Sequence, residues 1–205
     1  MFLGLNVLAY PGLECGDEKW INGSPIYENE LWSGFVTGSC DIDLIGEAAH
    51  FDTYFKQLTE EQKNKLKVLE GPIEKTMNGI KEVRFKVIED SGDPDEEKIE
   101  FTETVTITSD LKHFLRLVIE PTEIRAEGNS KYLRKLKNVF EIEQIEGTHH
   151  FRATGTHHSQ VAKPSFAPTF AFKPIVKDRV TKKFRKVLEK WAEQSKKGLL
   201  EIKTP

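Results

Sequence analysis

The sequence predicts an α+β fold, a curved antiparallel sheet of about seven strands wrapped around a long C-terminal helix, with two short helices after the first strand. Three observations predict it. Residues 173–194 place Ile175, Val176, Val180, Phe184, Val187, Leu188 and Trp191 at i, i+3 and i+4 steps, one continuous helical stripe, and the opposite face is nearly all Lys, Arg and Glu. The preceding chain alternates apolar and polar residues in segment after segment, the period of half-buried strands. No other segment has the length of that helix, about 30 Å, so its stripe has a sheet to lie across rather than a second helix.

Residues 1–33 read as an N-terminal extension and 34–205 as the domain. Turn signals at Pro11-Gly12, Cys15-Gly16-Asp17 and Asn22-Gly23-Ser24-Pro25 leave two apolar pieces, over 2–10 and 20–27, with the character of short strands or a lid. The apolar start lacks a basic region and a small-residue cleavage site, and Pro11 interrupts it, so it does not read as a secretion signal and the expected compartment is the cytoplasm. From residue 34 to 45, Val36, Gly38, Cys40, Ile42 and Leu44 alternate with Phe35, Thr37, Ser39, Asp41 and Asp43, which predicts the first strand.

Ala48, Phe51, Tyr54, Phe55 and Leu58 then share one side of a predicted helix over 47–58. Thr59-Glu60-Glu61-Gln62 has the capping-box form, which predicts that a second helix starts there, runs to about residue 69 and is stopped by Gly71-Pro72. After Gly79 the strands follow one another. Val83, Phe85 and Val87 alternate in one, and Ile99, Phe101, Val105 and Ile107 share a face in the next, with Glu103 the only residue of that face that is not apolar. Strands are predicted over 114–119, over a short piece at 123–126 and over 139–145, and Glu146-Gly147 turns the chain into a last strand, THHFRATGTHHSQV. Pro174 falls in the first turn of the final helix, and Lys196, Lys197 and Gly198 mark its end.

With 205 residues, 38% hydrophobic, 31% charged and a net charge of −3, the composition is that of one ordinary globular domain. Cys15 and Cys40 read as two small buried hydrophobes, neither a disulfide framework nor a zinc site. The acidic stretch 89–103 contains Gly92 and Pro94 and reads as a solvated hairpin tip. The slightly negative charge argues against nucleic acid as a partner, and the phosphate-cradling, hydrolase and zinc-protease motifs are absent.

The order of these elements resembles the helix-grip fold of the START-like superfamily (polyketide cyclase/dehydrase and lipid transport, SRPBCC), which includes the plant Bet v 1 proteins, polyketide cyclases and steroid or phospholipid transfer domains. The ending carries the likeness. A Thr-rich last strand, GTHHFRATGTHHS, leads through a Pro- and Phe-rich loop, VAKPSFAPTFAFKP, into a basic amphipathic helix, DRVTKKFRKVLEKW. The resemblance covers residues 34–194. The glycine-rich loop that many plant members carry after the second strand is absent, and the acidic hairpin near Asp93 stands about there instead. What the resemblance implies is a cavity between sheet and helix that holds an apolar molecule.

Three functions are therefore open: binding or transport of a hydrophobic small molecule (lipid, sterol-like or aromatic), a polyketide cyclase or aromatase type of enzyme using the same cavity, or a structural protein with a filled core. The expected ligand-contacting residues are His149, Phe151, Arg152, His157, Phe170, Val180 and Phe184. His149 and His157 share the strand face of Phe151, Ala153 and Gly155, which is expected to point inward, and Arg152 takes their place if the strand faces the other way. Glu103 is the expected partner of any inward Arg among Arg84, Arg116 and Arg152. The loop 166–172, with Phe166, Phe170 and Phe172, reads as a core cap, a gate to the cavity or a point of transient membrane contact.

The histidine doublets His149-His150 and His157-His158 do not read as a metal site. Neighbours in a strand point to opposite faces, and His150 and His158 are roughly 26 Å apart along an extended chain. Only a hairpin at Ala153-Thr154-Gly155 would bring the doublets together. No metal or other cofactor is expected.

Overall fold

A computed structural model describes residues 19–20, 26–28, 31–42, 51–90, 99–126, 131–148, 150–163, 174 and 178. In chain order the elements are β1 (Lys19–Trp20), β2 (Ile26–Glu28), β3 (Leu31–Ile42), α1 (Phe51–Lys65), β4 (Lys67–Met77), β5 (Ile80–Asp90), β6 (Ile99–Ser109), β7 (Phe114–Ala126), β8 (Leu133–Gln144) and β9 (Phe151–Ala162). The strands form one antiparallel sheet in the order β1-β3-β9-β8-β7-β6-β5-β4, with β2 also paired to β3. Strands β4 to β9 are a meander. The first long strand, β3, crosses back to pair with the last, from Leu31↔Ala162 to Ile42↔Phe151. Part of the expected N-terminal extension, as β1 and β2, thus adds to the outer edge of β3.

One face of the sheet is apolar because the alternation in each strand is in phase across the ladder. Val83, Phe85 and Val87 of β5, Val105 and Ile107 of β6, Leu115 and Leu117 of β7, Phe140 and Ile142 of β8, and Phe151 and Ala153 of β9 are all buried on it. Helix α1 covers one end of this face. Phe51, Tyr54, Phe55 and Leu58 recur at helical spacing and all are buried, and the Phe51 ring lies 5.4 Å from that of Phe151. Each such side chain contributes about 1.5–3 kcal/mol by leaving water.

The structure corrects the expectation of two helices. Residues 51–65 form a single helix, and Thr59 lies inside it, where its buried hydroxyl donates to the Phe55 carbonyl at 2.7 Å. A Thr satisfied by the carbonyl four residues back does not cap a new helix. The stripe through Phe51, Phe55 and Leu58 holds this turn against the sheet, so the helix continues to Lys65.

The segment expected to end that second helix is instead β4, an edge strand. Gly71-Pro72, read as a helix stop, sits in an irregular stretch where the register shifts between Val68/Glu70 and Glu70/Ile73. Gly71 has φ +95, and a Cβ there would stand 2.8 Å from the Arg84 carbonyl oxygen, so the close approach of the two backbones requires glycine. A sheet edge tolerates the proline that follows. The two pieces predicted over 114–119 and 123–126 are one strand, β7, which continues through Pro121. The expected C-terminal helix lies outside the described residues except for Pro174 and Asp178, which are helical and exposed.

Beyond the middle of the sheet the ladder forks. Pairing of β7 with β8 runs from Phe114↔Glu143 to Ile119↔Asn138 and ends there. Past that point β7 stays paired to β6 as far as Ala126, and β8 stays paired to β9 as far as Leu133. Pro121, with no N–H to give, stands just inside the fork, where the β8 side no longer asks for one. On the outer face a Lys137 to Glu120 ion pair of 3.1 Å spans its neck.

Candidate functional site on the inner sheet face

Strand β9 places Phe151, Ala153, Gly155 and Ser159 in buried positions, and His157 shares their face by parity. The inner set is therefore the odd-numbered one. His157 is partly buried and stands between Val36 of β3 and Asn138 of β8. Its Nδ1 lies 2.8 Å from Asn138 Oδ1, and since an amide oxygen only accepts, Nδ1–H donates and Nε2 becomes the acceptor of the ring. Burial, and then the neighbouring His158, push the His157 pKa down to about 4, so the imidazole is neutral at neutral pH.

Two positions near this pair carry no side chain. Gly38 and Gly155 face each other across β3 and β9, both buried, and Ala153 follows along the same face. Ser159, 5% exposed, stands opposite Gly34 and Leu136 at the fork.

Glu103 is the second polar group of the face. It is 2% exposed, on the side of β6 that carries Val105 and Ile107, at a bulge where it stands opposite Pro121 and Val87. The row from His157 runs through Asn138 and Ile119 to Val105, two residues from Glu103. The two polar stations thus lie three strands apart, about 14 Å across a flat sheet and about 7 Å along it, and curvature brings the inward tips closer.

Of the expected ligand residues, Phe151 is in the inner face, but packed on Phe51 beneath α1. His157 is on that face near the fork. Arg152 is exposed on the opposite face, opposite Asp41 and Glu143 in the register, because alternation sends it out when Phe151 goes in. His149, Phe170, Val180 and Phe184 lie outside the described residues. The inward arginine expected for Glu103 is not found among Arg84, Arg116 and Arg152: all three are exposed, Arg84 meets Glu82 at 3.4 Å, and Arg116 meets Glu141 at 3.2 Å.

The turn between β8 and β9 lies at residues 145–150, where the Ile145 N–H donates to the His150 carbonyl at 2.9 Å. Strand β9 then runs unbroken through 153–155, so no hairpin there folds the doublets together. Among the described residues no group of three or more His, Cys, Asp or Glu side chains is placed to hold a metal ion. His158 points outward, opposite Lys137 and Phe35. Burial, Lys135 and Lys137 lower its pKa, and Glu120 opposes them.

Asn138 and Ser159 were not expected in the site. Asn138 keeps the parity of Phe140 and Ile142, and starting the strand one residue earlier than 139 brings it onto the inner face. That parity was the available signal.

The described residues define an α+β protein with seven long antiparallel strands and helix α1 on one face of the sheet. No family model matches the chain, and no curated protein matches it in sequence. By structure it is similar to the human StarD13 (DLC2) lipid transfer and protein localization domain, at 12% identity and a TM-score of 0.38, over 90% of each chain. No site residue is carried over from that likeness. Among the described residues no helix is long and apolar enough to cross a membrane.

Proposed function

We propose that the chain binds or transports a hydrophobic small molecule, of lipid, sterol-like or aromatic character, against the inner sheet face under its C-terminal segment. Residues 34–205 act as the binding unit in this reading, and β1 and β2 extend its edge. The observation that carries it is the His157–Asn138 pair, an uncharged polar pair held at 2.8 Å on a largely apolar sheet face. It stands beside the buried glycines Gly38 and Gly155 and at the fork of β7 and β8. Burial of apolar surface, about 25 cal/mol per Å², supplies affinity, and a few polar groups fix orientation. Val180, Phe184 and Phe170 are proposed to close the site from the other side, with His149 at its end. The loop 166–172 is the proposed place of transient membrane contact.

The low pKa of His157 favours binding over a cyclase-type reaction. A ring that protonates only near pH 4 is a hydrogen-bonding group, and a weak proton carrier, at neutral pH. The test is native mass spectrometry of freshly purified protein against its denatured mass, followed by organic extraction. A reproducible excess mass that extracts as one lipid or aromatic class is expected. A bare native mass together with no uptake of an apolar dye refutes the reading in favour of a filled core.

A further inference from the structure

The fork between β7 and β8 opens where the proposed site begins. Asn138 is the last β8 residue to pair with β7, and His157 stands beside it on β9. Three features hold the two arms apart beyond that pair. Each arm has an irregularity in the ladder on its other side, at Thr102/Glu103 where β6 meets β7 and between Leu133 and Lys135 where β8 meets β9, and bulges of this kind bend a strand. Pro121 adds a position with no N–H to offer across the gap.

Side-chain chemistry changes through the slot. Pro121 and Ile124 of β7 stand opposite Glu103 and Phe101, and Leu136 and Leu133 of β8 opposite Ser159 and Val161, so all four share the inner face. All four are half-buried, whereas Leu117 and Phe140, paired across the closed ladder just below, are 3% and 4% exposed. The outer lip is charged, with Glu120 and Glu123 on one arm and Lys135 and Lys137 on the other. A Lys137 to Glu120 ion pair of 3.1 Å joins the arms at the neck, and both side chains are part-exposed.

We infer that this fork is a gate: the apolar ligand passes between the arms of β7 and β8, and the Lys137–Glu120 pair is its latch. This rests on the ligand-binding reading and adds to it the route by which the site is filled. An ion pair as exposed as this one holds weakly, so it restrains the arms without locking them. The apolar lining inside the lip offers hydrocarbon surface to the ligand before it reaches the His157–Asn138 pair. A gate sets rates and leaves affinity alone, because it acts equally on entry and exit.

The experiment bridges the arms. Thr122 and Lys135 are exposed and lie three steps past Ile119↔Asn138 in the register of the ladder. Thr122→Cys with Lys135→Cys, in a full chain that carries Cys15→Ser and Cys40→Ala, is joined by a bismaleimide, and the control is the same protein capped with N-ethylmaleimide. Stopped-flow mixing with the apolar dye N-phenylnaphthylamine reads entry, and dilution reads exit. The bridge is expected to slow both at least about tenfold and to leave the dissociation constant within about twofold. Glu120→Gln, which removes the latch, is expected to speed both by up to about fivefold at low salt, and high salt should erase its difference from wild type.

Thermal melts establish that each protein folds, and if the double-cysteine chain does not, Glu120→Gln decides. Exchange untouched by the bridge, or by Glu120→Gln where that variant decides, overturns the gate and leaves the binding reading standing. Failure of the wild-type chain to bind the dye overturns the binding reading itself.

Discussion

Replacing His157 by Gln keeps a donor for Asn138 and removes the titrating ring, which isolates the cost of holding that ring neutral. The unfolded chain has a His pKa near the ordinary 6.5, and burial in the fold lowers it to about 4. The folded state therefore binds fewer protons over this range, and stability falls as pH falls from the unfolded value toward the folded one. Relative to neutral pH the two values give a loss of about 2 kcal/mol at about pH 5, approaching about 3 kcal/mol below pH 4. The assay is urea unfolding of wild type and His157→Gln at about pH 7.5 and about pH 5, read as the change in each protein's own stability. His158 is also lowered, but it faces the other side of the sheet and is present in both proteins, so its contribution largely cancels in the comparison. The wild type should lose about 2 kcal/mol more than the variant. Equal losses would mean that the ring titrates normally in the fold, and the neutral His157–Asn138 station would be refuted.

Three further outcomes test the architecture that holds this station. Phe151→Ala removes the β9 half of the ring pair with Phe51 and should cost about 3–5 kcal/mol in chemical denaturation; a loss under about 1 kcal/mol would mean α1 is not docked there. Gly71→Ala forces a Cβ to within 2.8 Å of the Arg84 carbonyl at φ +95, and should lower stability by more than about 1 kcal/mol, whereas Gly79→Ala, whose Cβ meets nothing within 4 Å, bears only the backbone term. In hydrogen exchange, amides of 122–126 and 133–137 that point into the fork should exchange well before those of the continuous β8–β9 ladder, and equal protection would mean the ladder is closed in solution.

Much of the sheet could be read in advance because its strands are half-buried and their alternation reports which residues turn inward. Val83, Phe85 and Val87, Val105 and Ile107, and Phe151, Ala153 and Gly155 all lie on the predicted side. Glu103 stood out for the same reason, as the polar member of an apolar set. The misreadings fall where a local signal had two physical meanings. Thr59 with Gln62 has the form of a cap, yet a Thr inside a helix finds the carbonyl of Phe55 just as well. Gly71-Pro72 ends helices, yet it also shapes an irregular edge strand, and only the pairing of β4 with β5 decides between them.

The site was less legible because it exists only through register. His157 and Asn138 are 19 residues apart, and nothing in either stretch names the other. Their meeting depends on the turn between β8 and β9, where the Thr148 hydroxyl donates to the Ile145 carbonyl at 2.8 Å, Gln144 Nε2 donates to the Thr148 carbonyl at 2.5 Å and Gly147 takes φ +73. Parity on β8 is held independently by its ladder with β7, so β9 could slip only in steps of two without turning its apolar face outward. A slip of two in either direction would set His157 opposite Leu136 or Phe140 and leave the ring facing hydrocarbon instead of an amide. The turn at 145–150 is thus as much a part of the site as the two side chains it aligns, although it lies at the far end of the strands.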